Sequence, residues 1–255
     1  MSSAVTVERV DGVQVIAINR PQARNAVNVE VAEGIASALD ELDQDGEIDI
    51  AVLTGAGGCF CAGMDLKAFA ATGARPHAGG RGFGGVCEKP PVKPLIAAVE
   101  GYALAGGFEI VLACDLVVAA ENAKFGLPEV KRGLVPGGGG MLRLPRRIPF
   151  PIAMEVVLTG GMFTAVQFHQ YGLVNRVAKE GGALACALDL AREIRRNGPL
   201  AVRTAKRVMM QSPDWAQATM FDSQRPMLAE VMASEDAREG ARAFAEKRPP
   251  VWKGR

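Results

Sequence analysis

Histidine is scarce in this sequence, since His77 and His169 are the only two among 255 residues. His77 lies in a stretch rich in glycine and proline and His169 in a helical pattern, so we interpret both as structural or solvated. This small supply argues against a histidine-based catalytic triad and against a histidine-rich metal site. The chemistry is therefore expected to come from other side chains.

Cysteine is also sparse and odd in number. No pair has Cys-x-x-Cys spacing, and no histidine lies near enough in the sequence to complete a zinc set with the two cysteines that are two residues apart. In a chain of this length, such residues are typical of reduced thiols in an intracellular protein. The five are Cys59, Cys61, Cys87, Cys114 and Cys186.

The sequence lacks a strong net charge and long apolar runs as well. Its formal net charge is +1, which removes the main argument for nucleic-acid binding, because such binding requires a basic face. No apolar run reaches the ~18 residues needed to cross a bilayer. The N-terminal segment MSSAVTVERVDG also lacks the basic-then-apolar layout of a signal peptide. We therefore expect a cytoplasmic protein that binds neither nucleic acid nor membranes.

What the sequence contains is an alternation of strand and helix patterns. Apolar alternation about Asp11-Gly12 predicts a β-hairpin over 5–10 and 13–19. Six glycines and four prolines predict a long mobile loop between Gly73 and Pro94. The remaining pattern predicts strands at 50–54, 95–99, 115–120 and 173–178, an extended segment at FGLPE, and helices near 28–44, 108–114, 182–197, 199–211, 214–232 and 235–245. This order predicts an α/β body with a helical C-terminal third.

Two glycine-rich turns share one design, in which a buried strand leads into the turn and a helix follows it. They are LTGAGGCFCAGMDL and AAVEGYALAGGFEI. The N-terminus of a helix presents unpaired N–H groups, so two facing turns could hold a carbonyl oxygen that gains negative charge. The glycine spacing does not match the phosphate-binding or dinucleotide-binding motifs, and there is no Gly-x-Ser-x-Gly elbow. The simpler alternative is that the glycines only form tight turns.

Two glutamates are of interest, one within the second of these segments and one 19 residues after it. Glu109 is in the first turn of an otherwise apolar helix, and Glu129 follows Pro128 in FGLPE. A carboxylate in apolar surroundings is costly unless it is paired or used. Two carboxylates beside one carbonyl can divide acid and base work, because their surroundings can separate their pKa values. The structural alternative for each is a partner of a helix dipole or a surface charge.

Several of these segments together resemble the crotonase, or enoyl-CoA hydratase/isomerase, superfamily. The matching segments are RPQARNAVN (20–28), FCAGMDL (60–66), GYALAGGFEI (101–110), FGLPEVKRGLVPGGGG (125–140) and AFAEKRPPVWKGR (243–255). The resemblance covers essentially the whole chain. It implies a spiral of ββα units over residues 1–195 and a helical oligomerisation region over 196–255, in trimers or dimers of trimers.

The resemblance also implies roles for individual residues. The oxyanion donors of the family match the backbone N–H groups of Met64 and Gly106, and its two catalytic glutamates match Glu109 and Glu129. Neither a metal nor a separate cofactor is implied, because coenzyme A is part of an acyl-CoA thioester substrate. The matching contacts to coenzyme A and substrate are Arg24, Ala62, Met64, Asp65, Leu66, Lys67, Gly106 and Lys247.

The resemblance leaves several activities open. A pair of glutamates favours an enoyl-CoA hydratase over a Δ3,Δ2-enoyl-CoA isomerase, which generally relies on one acidic residue. The segments LVPGGGGMLRLP and FAEKRPPVWKGR are particularly similar to those of carnitinyl-CoA dehydratases, the leading alternative. A non-catalytic acyl-CoA binder and a nicotinamide oxidoreductase fit less well. Two departures from the family pattern are Met64, which is bulky, and Ala105, which replaces a glycine that we expect to be dispensable because Gly106 is the donor.

Overall fold

The computed structural model describes residues 3–255, and the chain divides into two compact units. Of the described residues, the first unit comprises those up to Pro91 together with Leu95–Ala191, and the second comprises Val92–Pro94 and Arg192–Arg255. Every strand lies in the first unit. No helix within residues 3–255 is long and apolar enough to cross a membrane.

A six-stranded sheet is the centre of the first unit. Its strands follow the order β1-β2-β3-β6-β8-β11, in which β1 and β2 are antiparallel and the others are parallel. The expected hairpin is confirmed, with its turn at Asp11-Gly12 in the left-handed region. The strands of this sheet are β1 (Val5–Val10), β2 (Val13–Ile18), β3 (Ala51–Gly55), β6 (Leu95–Val99), β8 (Leu116–Ala120) and β11 (Arg176–Ala178).

Two smaller sheets complete the strand content. In the three-stranded sheet, β7 (Tyr102–Leu104) pairs in parallel with β9 (Lys124–Gly126), which pairs antiparallel with β10 (Phe163–Thr164). The other sheet consists of β4 (His77–Ala78) and β5 (Gly82–Phe83).

Ten α-helices accompany the sheets in residues 3–255. Those of the first unit are α1 (Val29–Gln44), α2 (Leu66–Thr72), α3 (Gly106–Ala113), α4 (Gly140–Arg147), α5 (Phe150–Thr159) and α6 (Ala165–Gln170). The next helix, α7 (Ala183–Arg195), contains the boundary between the units. The second unit has α8 (Pro199–Gln211), α9 (Met220–Met232) and α10 (Glu235–Glu246). Short 3-10 helices occur at Pro21–Ala23, Pro128–Arg132 and Ser212–Asp214.

The glycine-rich loop between Gly73 and Pro94 is more ordered than the sequence suggested. Part of it forms the β4–β5 hairpin, and Arg81 between the two strands is buried. The guanidinium of Arg81 binds the carboxylates of Asp40, at 2.7 Å, and Asp43, at 3.1 Å. This part of the predicted long mobile loop is therefore a paired hairpin, which the sequence pattern could not anticipate because it depends on an ion pair with a helix some forty residues earlier.

Three further corrections concern short elements. The turn GYALAGG contains β7, and the extended FGLPE segment ends in the 3-10 helix Pro128–Arg132. The helix predicted near 214–232 begins only at Met220, after a 3-10 turn. Strands of two or three residues have almost no periodicity of their own, so their pairing with distant segments decides whether they form.

A cluster of aromatic rings holds the two glutamate-bearing segments together. Phe108 on α3 lies 5.4 Å from Phe125 on β9 and 5.4 Å from Phe168 on α6, measured between ring centroids. All three side chains are fully buried. Because Phe108 directly precedes Glu109 and Phe125 lies four residues before Glu129, this packing fixes the positions from which both carboxyl groups extend.

Candidate active site

The first glycine turn connects β3 to α2 and leaves the N–H of Met64 unused. Val27 forms hydrogen bonds with both neighbours of Met64. The N–H of Val27 donates to the carbonyl of Gly63 at 2.8 Å, and the carbonyl of Val27 accepts from the N–H of Asp65 at 2.9 Å. In such parallel pairing, the residue between the two bonded ones, here Met64, directs its own N–H away from the paired segment. No described residue accepts from the N–H of Met64, so this donor is available to a ligand.

The second glycine turn connects β7 to α3 and presents the N–H of Gly106. Gly106 is the first residue of α3, where an N–H has no partner within the helix. Ala105 before it has φ +51° and ψ −128°, a conformation that non-glycine residues rarely adopt. Gly106 itself is buried, and the ring of Phe83 packs against it.

The two turns are in direct contact. Cys61 in the first donates its N–H to the carbonyl of Tyr102 at 2.8 Å and accepts from the N–H of Leu104 at 3.0 Å. A Cβ atom added to Gly63 would lie only 3.5 Å from the Gly106 nitrogen. The structure thus brings together the two donors that the sequence singled out, as an oxyanion hole requires.

Glu109 is buried, and it is held by the glycine run Gly137–Gly140, which leads into α4. Its Oε1 accepts from the N–H of Gly138 at 2.7 Å and from the N–H of Gly140 at 2.9 Å. A Cβ atom on Gly138 would lie 2.8 Å from Oε2, so any larger residue there would require the Glu109 carboxyl to shift. Burial raises the pKa of Glu109, and the two N–H groups oppose that rise. Oε2 accepts from no described residue and remains available to a water molecule.

Glu129 faces the same place from the 3-10 helix Pro128–Arg132. Burial raises its pKa to about 7 from an ordinary value near 4.5, and the charge of Glu109 adds to the rise. Its Oε2 is buried and has no hydrogen-bond partner. An unpartnered buried carboxyl oxygen is costly, and such groups are concentrated at functional sites. Near neutral pH this carboxyl is poised to gain or lose a proton.

Most of the residues matched to coenzyme A contacts lie along the first turn. Arg24 is in the left-handed conformation and its carbonyl accepts from the N–H of Ala62 at 3.0 Å. Asp65 caps α2 through the N–H of Ala68 and forms an ion pair with Arg20 at 2.9 Å, so its side chain already has protein partners. Those hydrogen bonds and Arg20 keep its pKa low.

The other matched residues lie at a helix start and in the second unit. Leu66 and Lys67, the first two residues of α2, are exposed. Lys247 ends α10 in the left-handed conformation, with φ +54°. It belongs to the second unit, whereas the residues above belong to the first.

The site also depends on Asn25, which the sequence analysis did not single out. Asn25 is fully buried and in the left-handed conformation. Its side chain accepts from the N–H of Arg20 at 2.8 Å and donates to the carbonyls of Ala56 and Cys59, at 2.9 and 2.5 Å. It fastens the Arg24 segment to the first glycine turn. The signal available in the sequence was weak, namely an asparagine in RPQARNAVN at a turn, where this residue type tolerates positive φ.

Metal-ligating and disulfide chemistry have no structural support in residues 3–255. No group of three or more His, Cys, Asp or Glu side chains in this range could hold a metal ion. All five cysteines are free thiols, as expected. His169 bonds the carbonyl of Val174 at 2.8 Å, which agrees with its structural interpretation.

Comparison with known proteins agrees with the architecture. A family model described as enoyl-CoA hydratase/isomerase matches residues 8–255. An enoyl-CoA hydratase of Mycobacterium tuberculosis is 43% identical over 260 residues, which cover 98% of this chain and 96% of the relative. A carnitinyl-CoA dehydratase of Salmonella enteritidis is 41% identical over 263 residues, which cover both chains completely.

A solved structure extends the likeness to three dimensions. The crystal structure of an enoyl-CoA hydratase from Mycobacterium tuberculosis has a TM-score of 0.97 and 56% identity to this chain, with complete coverage of both. The crotonase-type fold implied by the sequence motifs is thereby confirmed.

Proposed function

The chain is an enzyme of the enoyl-CoA hydratase/isomerase family and, on the names of its relatives, a hydro-lyase; from this we propose that it adds water reversibly across the 2,3 double bond of a 2-enoyl-CoA thioester. The single observation that carries the proposal is the pairing of Glu109 with Glu129. One carboxyl is anchored by two N–H groups, and the other has a buried unpartnered oxygen and a pKa of about 7. Such a pair suits a reaction in which one group removes a proton and the other supplies one.

The mechanism follows from where charge develops. Water attacks Cβ of the unsaturated thioester, and the electrons of the double bond move to the thioester oxygen as an enolate. The N–H groups of Met64 and Gly106 stabilise that oxygen, and losing one such donor typically costs ~3 kcal/mol. One glutamate takes a proton from the attacking water and the other delivers a proton to Cα. Two protons change place and no electrons are exchanged with a cofactor, so we propose that none is needed.

The proposed substrate contacts extend along the first turn to coenzyme A. The free N–H of Met64 and the exposed start of α2 at Leu66 and Lys67 support this assignment, together with the adjacent Ala62, Asp65 and Arg24. We assign Lys247 to the same ligand on the family motif alone.

We also propose that the chain assembles as a homotrimer or a dimer of trimers through residues 196–255. Large apolar side chains in this region are exposed, among them Met209, Met232 and Phe244. An apolar cavity of about 440 Å³ between α8 and α9 supports the same view. Exposed apolar surface of this kind typically marks a protein interface. The five free thiols support a reducing compartment such as the cytoplasm.

The function is tested with a panel of trans-2-enoyl-CoA esters from four carbons to steroid size. Hydration removes the conjugated-thioester absorbance, and we expect at least one ester to lose it rapidly with the wild-type protein. The Glu109→Gln variant is the matched control, because it keeps the shape of the site. If no ester reacts faster with the wild type than with this variant, the proposed function is wrong.

A carnitinyl-CoA dehydratase is the second candidate, because one such relative is 41% identical along its whole length. It would carry out the same chemistry on an acyl chain with a trimethylammonium group. A ratio of kcat/KM for crotonobetainyl-CoA over crotonyl-CoA well above one would favour this candidate. A ratio well below one would favour an uncharged acyl chain.

A further inference from the structure

The glycine run that holds Glu109 is itself held by a side chain that the mechanism above does not use. Arg143 lies on α4 and is half-buried. Its Nη2 donates to the carbonyl of Cys87 at 2.5 Å, and its Nη1 makes a longer contact of 3.5 Å with the carbonyl of Gly138. Gly138 donates its N–H to Glu109. The guanidinium and the catalytic carboxylate therefore bind neighbouring groups of one short segment.

The contact between Arg143 and Cys87 connects the glycine run to the segment that follows the β4–β5 hairpin. Cys87 is buried, and 56 residues separate it from Arg143 in sequence. The planar guanidinium can donate in two directions at once, whereas a lysine ammonium is a compact point charge. Arg143 is thus suited to bridge two carbonyls that belong to different segments.

The charged and titratable groups around Glu109 come from three segments. They are Arg143 on α4, Glu129 on the 3-10 helix and the thiol of Cys87. The charge of Arg143 lowers the pKa of Glu109, while burial raises it. The pKa of the Cys87 thiol is raised by burial and by the charge of Glu109, so this thiol stays neutral. Replacing Arg143 is therefore expected to affect Glu109 in two ways, by altering the geometry of the glycine run and by changing the local charge.

We propose that Arg143 is a positioning residue for the reaction, which bridges the carbonyls of Cys87 and Gly138 and thereby keeps the glycine run against Glu109. The proposal rests on the hydration function proposed above. Arg143 acts through Glu109 and does not itself exchange a proton.

Two nearby arginines provide control variants for Arg143. Arg147 on the same helix donates to the carbonyls of Leu112, Cys114 and Asp115, at 3.2, 2.9 and 3.2 Å, and so stabilises the C-terminal end of α3. Arg146 is exposed. Arg147→Met is therefore the control for a purely structural loss, and Arg146→Met is the control for loss of a positive charge on α4.

The kinetic test compares Arg143→Met and Arg143→Lys with both controls on the best enoyl-CoA ester. We expect Arg143→Met to lower kcat by ~10-fold or more, with KM within about twofold, because binding is kept and orientation is lost. The acidic limb of its pH profile should move to higher pH. Arg143→Lys should keep the limb near its wild-type position, because it keeps the charge, yet recover only part of kcat. Arg146→Met should match the wild type.

A second readout does not depend on activity. Amide hydrogen exchange of residues 136–142 should be faster in Arg143→Met by ~10-fold or more, and unchanged in Arg146→Met. The proposal is wrong if exchange there stays at the wild-type rate. It is also wrong if Arg143→Met resembles Arg147→Met, with lower stability but an unchanged pH limb and an unchanged kcat of the folded protein. Because exchange needs no substrate, it tests Arg143 even when the wild type hydrates none of the esters.

Discussion

The carboxyl group of Glu109 makes structural contacts and, in the proposed reaction, also has a chemical task. Its Oε1 satisfies two N–H groups at the start of α4, the kind of partner that a helix N-terminus favours. A capping carboxylate alone would not indicate catalysis. The buried, unpartnered oxygen of Glu129 supports the proposed catalytic role, because a buried carboxyl oxygen is seldom left without a partner.

Glu109→Gln separates these two tasks. The amide oxygen can still accept from Gly138 and Gly140, so we expect the fold and the binding of coenzyme A to be kept. The amide cannot exchange a proton, so kcat for hydration should fall ~10²–10⁴-fold. Steady-state kinetics measure this loss of kcat, and circular dichroism checks that the variant keeps its fold. A loss of less than threefold in kcat would show that Glu109 only caps the helix.

Glu129 is expected to reduce stability at the pH at which it works. Its folded-state pKa is about 7, above its ordinary value near 4.5. The folded state therefore binds the proton more tightly, and stability falls as the pH rises from about 4.5 to about 7. Glu129→Gln removes this penalty and should stabilise the protein by about 1–2 kcal/mol at pH 8, after allowance for partial exposure.

Thermal unfolding at two pH values tests whether ionised Glu129 destabilises the folded protein. The midpoint of Glu129→Gln should exceed that of the wild type by about 2–8 °C at pH 8. The difference should largely vanish near pH 4.5, where both side chains are neutral. An equal difference at both pH values would mean that the pKa of Glu129 is not raised.

Ala105 has a conformation that suits glycine better. Its φ of +51° with ψ of −128° is the most unusual feature of the second glycine turn. Such a conformation costs about 1–3 kcal/mol for a non-glycine residue, partly offset by the greater chain entropy of glycine when unfolded. Ala105→Gly should therefore raise stability by about 1 kcal/mol and leave the N–H of Gly106 in place. An unchanged or lower thermal midpoint in Ala105→Gly would show that the conformation of Ala105 is not strained.

Among the secondary-structure elements, the β4–β5 hairpin depends most on one side chain. Arg81 is 2% exposed and binds two carboxylates of α1 as well as the carbonyl of Lys89. Arg81→Met should destabilise the protein by about 2–3 kcal/mol, less than a fully buried pair would lose because Asp40 is largely hydrated. The control is Arg9→Met, which breaks the exposed pair with Asp45 and should cost less than ~1 kcal/mol. Equal losses of stability in the two variants would show that Arg81 does not anchor the hairpin.

Elements with a strong local signal could be predicted from the sequence. The apolar spacing of 28–44 corresponds to α1, with Asn28 as its N-cap, and the run 95–99 corresponds to β6. The capping residues Thr164 and Gln167 form a reciprocal capping box at α6. Each of these depends on residues within one or two turns of chain. By contrast, β7 forms because Tyr102–Leu104 pairs with Lys124–Gly126, which no local pattern reveals.

The same contrast applies to the site. The glycine turns and the glutamates were recognisable because their chemistry is encoded in short segments. Asn25 and Arg143 were not, because each also bonds backbone groups that lie from 31 to 56 residues away. Such contacts leave no spacing in the sequence, so only the fold reveals them.

In the molecule as a whole, the proposed reaction requires four segments to act together. The turns containing Met64 and Gly106 supply the donors, and α3 and the 3-10 helix supply Glu109 and Glu129. A hydratase needs both carboxyl groups, one for the water and one for Cα. An isomerase moves a proton between two carbons and needs only one. The role of Glu129 therefore decides between the two activities of this family.

The most direct test measures hydration of a trans-2-enoyl-CoA and Δ3-to-Δ2 isomerisation with matched acyl chains, in the wild type and in Glu129→Gln. The account predicts a loss of hydration of at least ~100-fold and a smaller loss of any isomerisation. Hydration at the same rate in both proteins would contradict it, because Glu129 would then be structural and the isomerase interpretation would take its place.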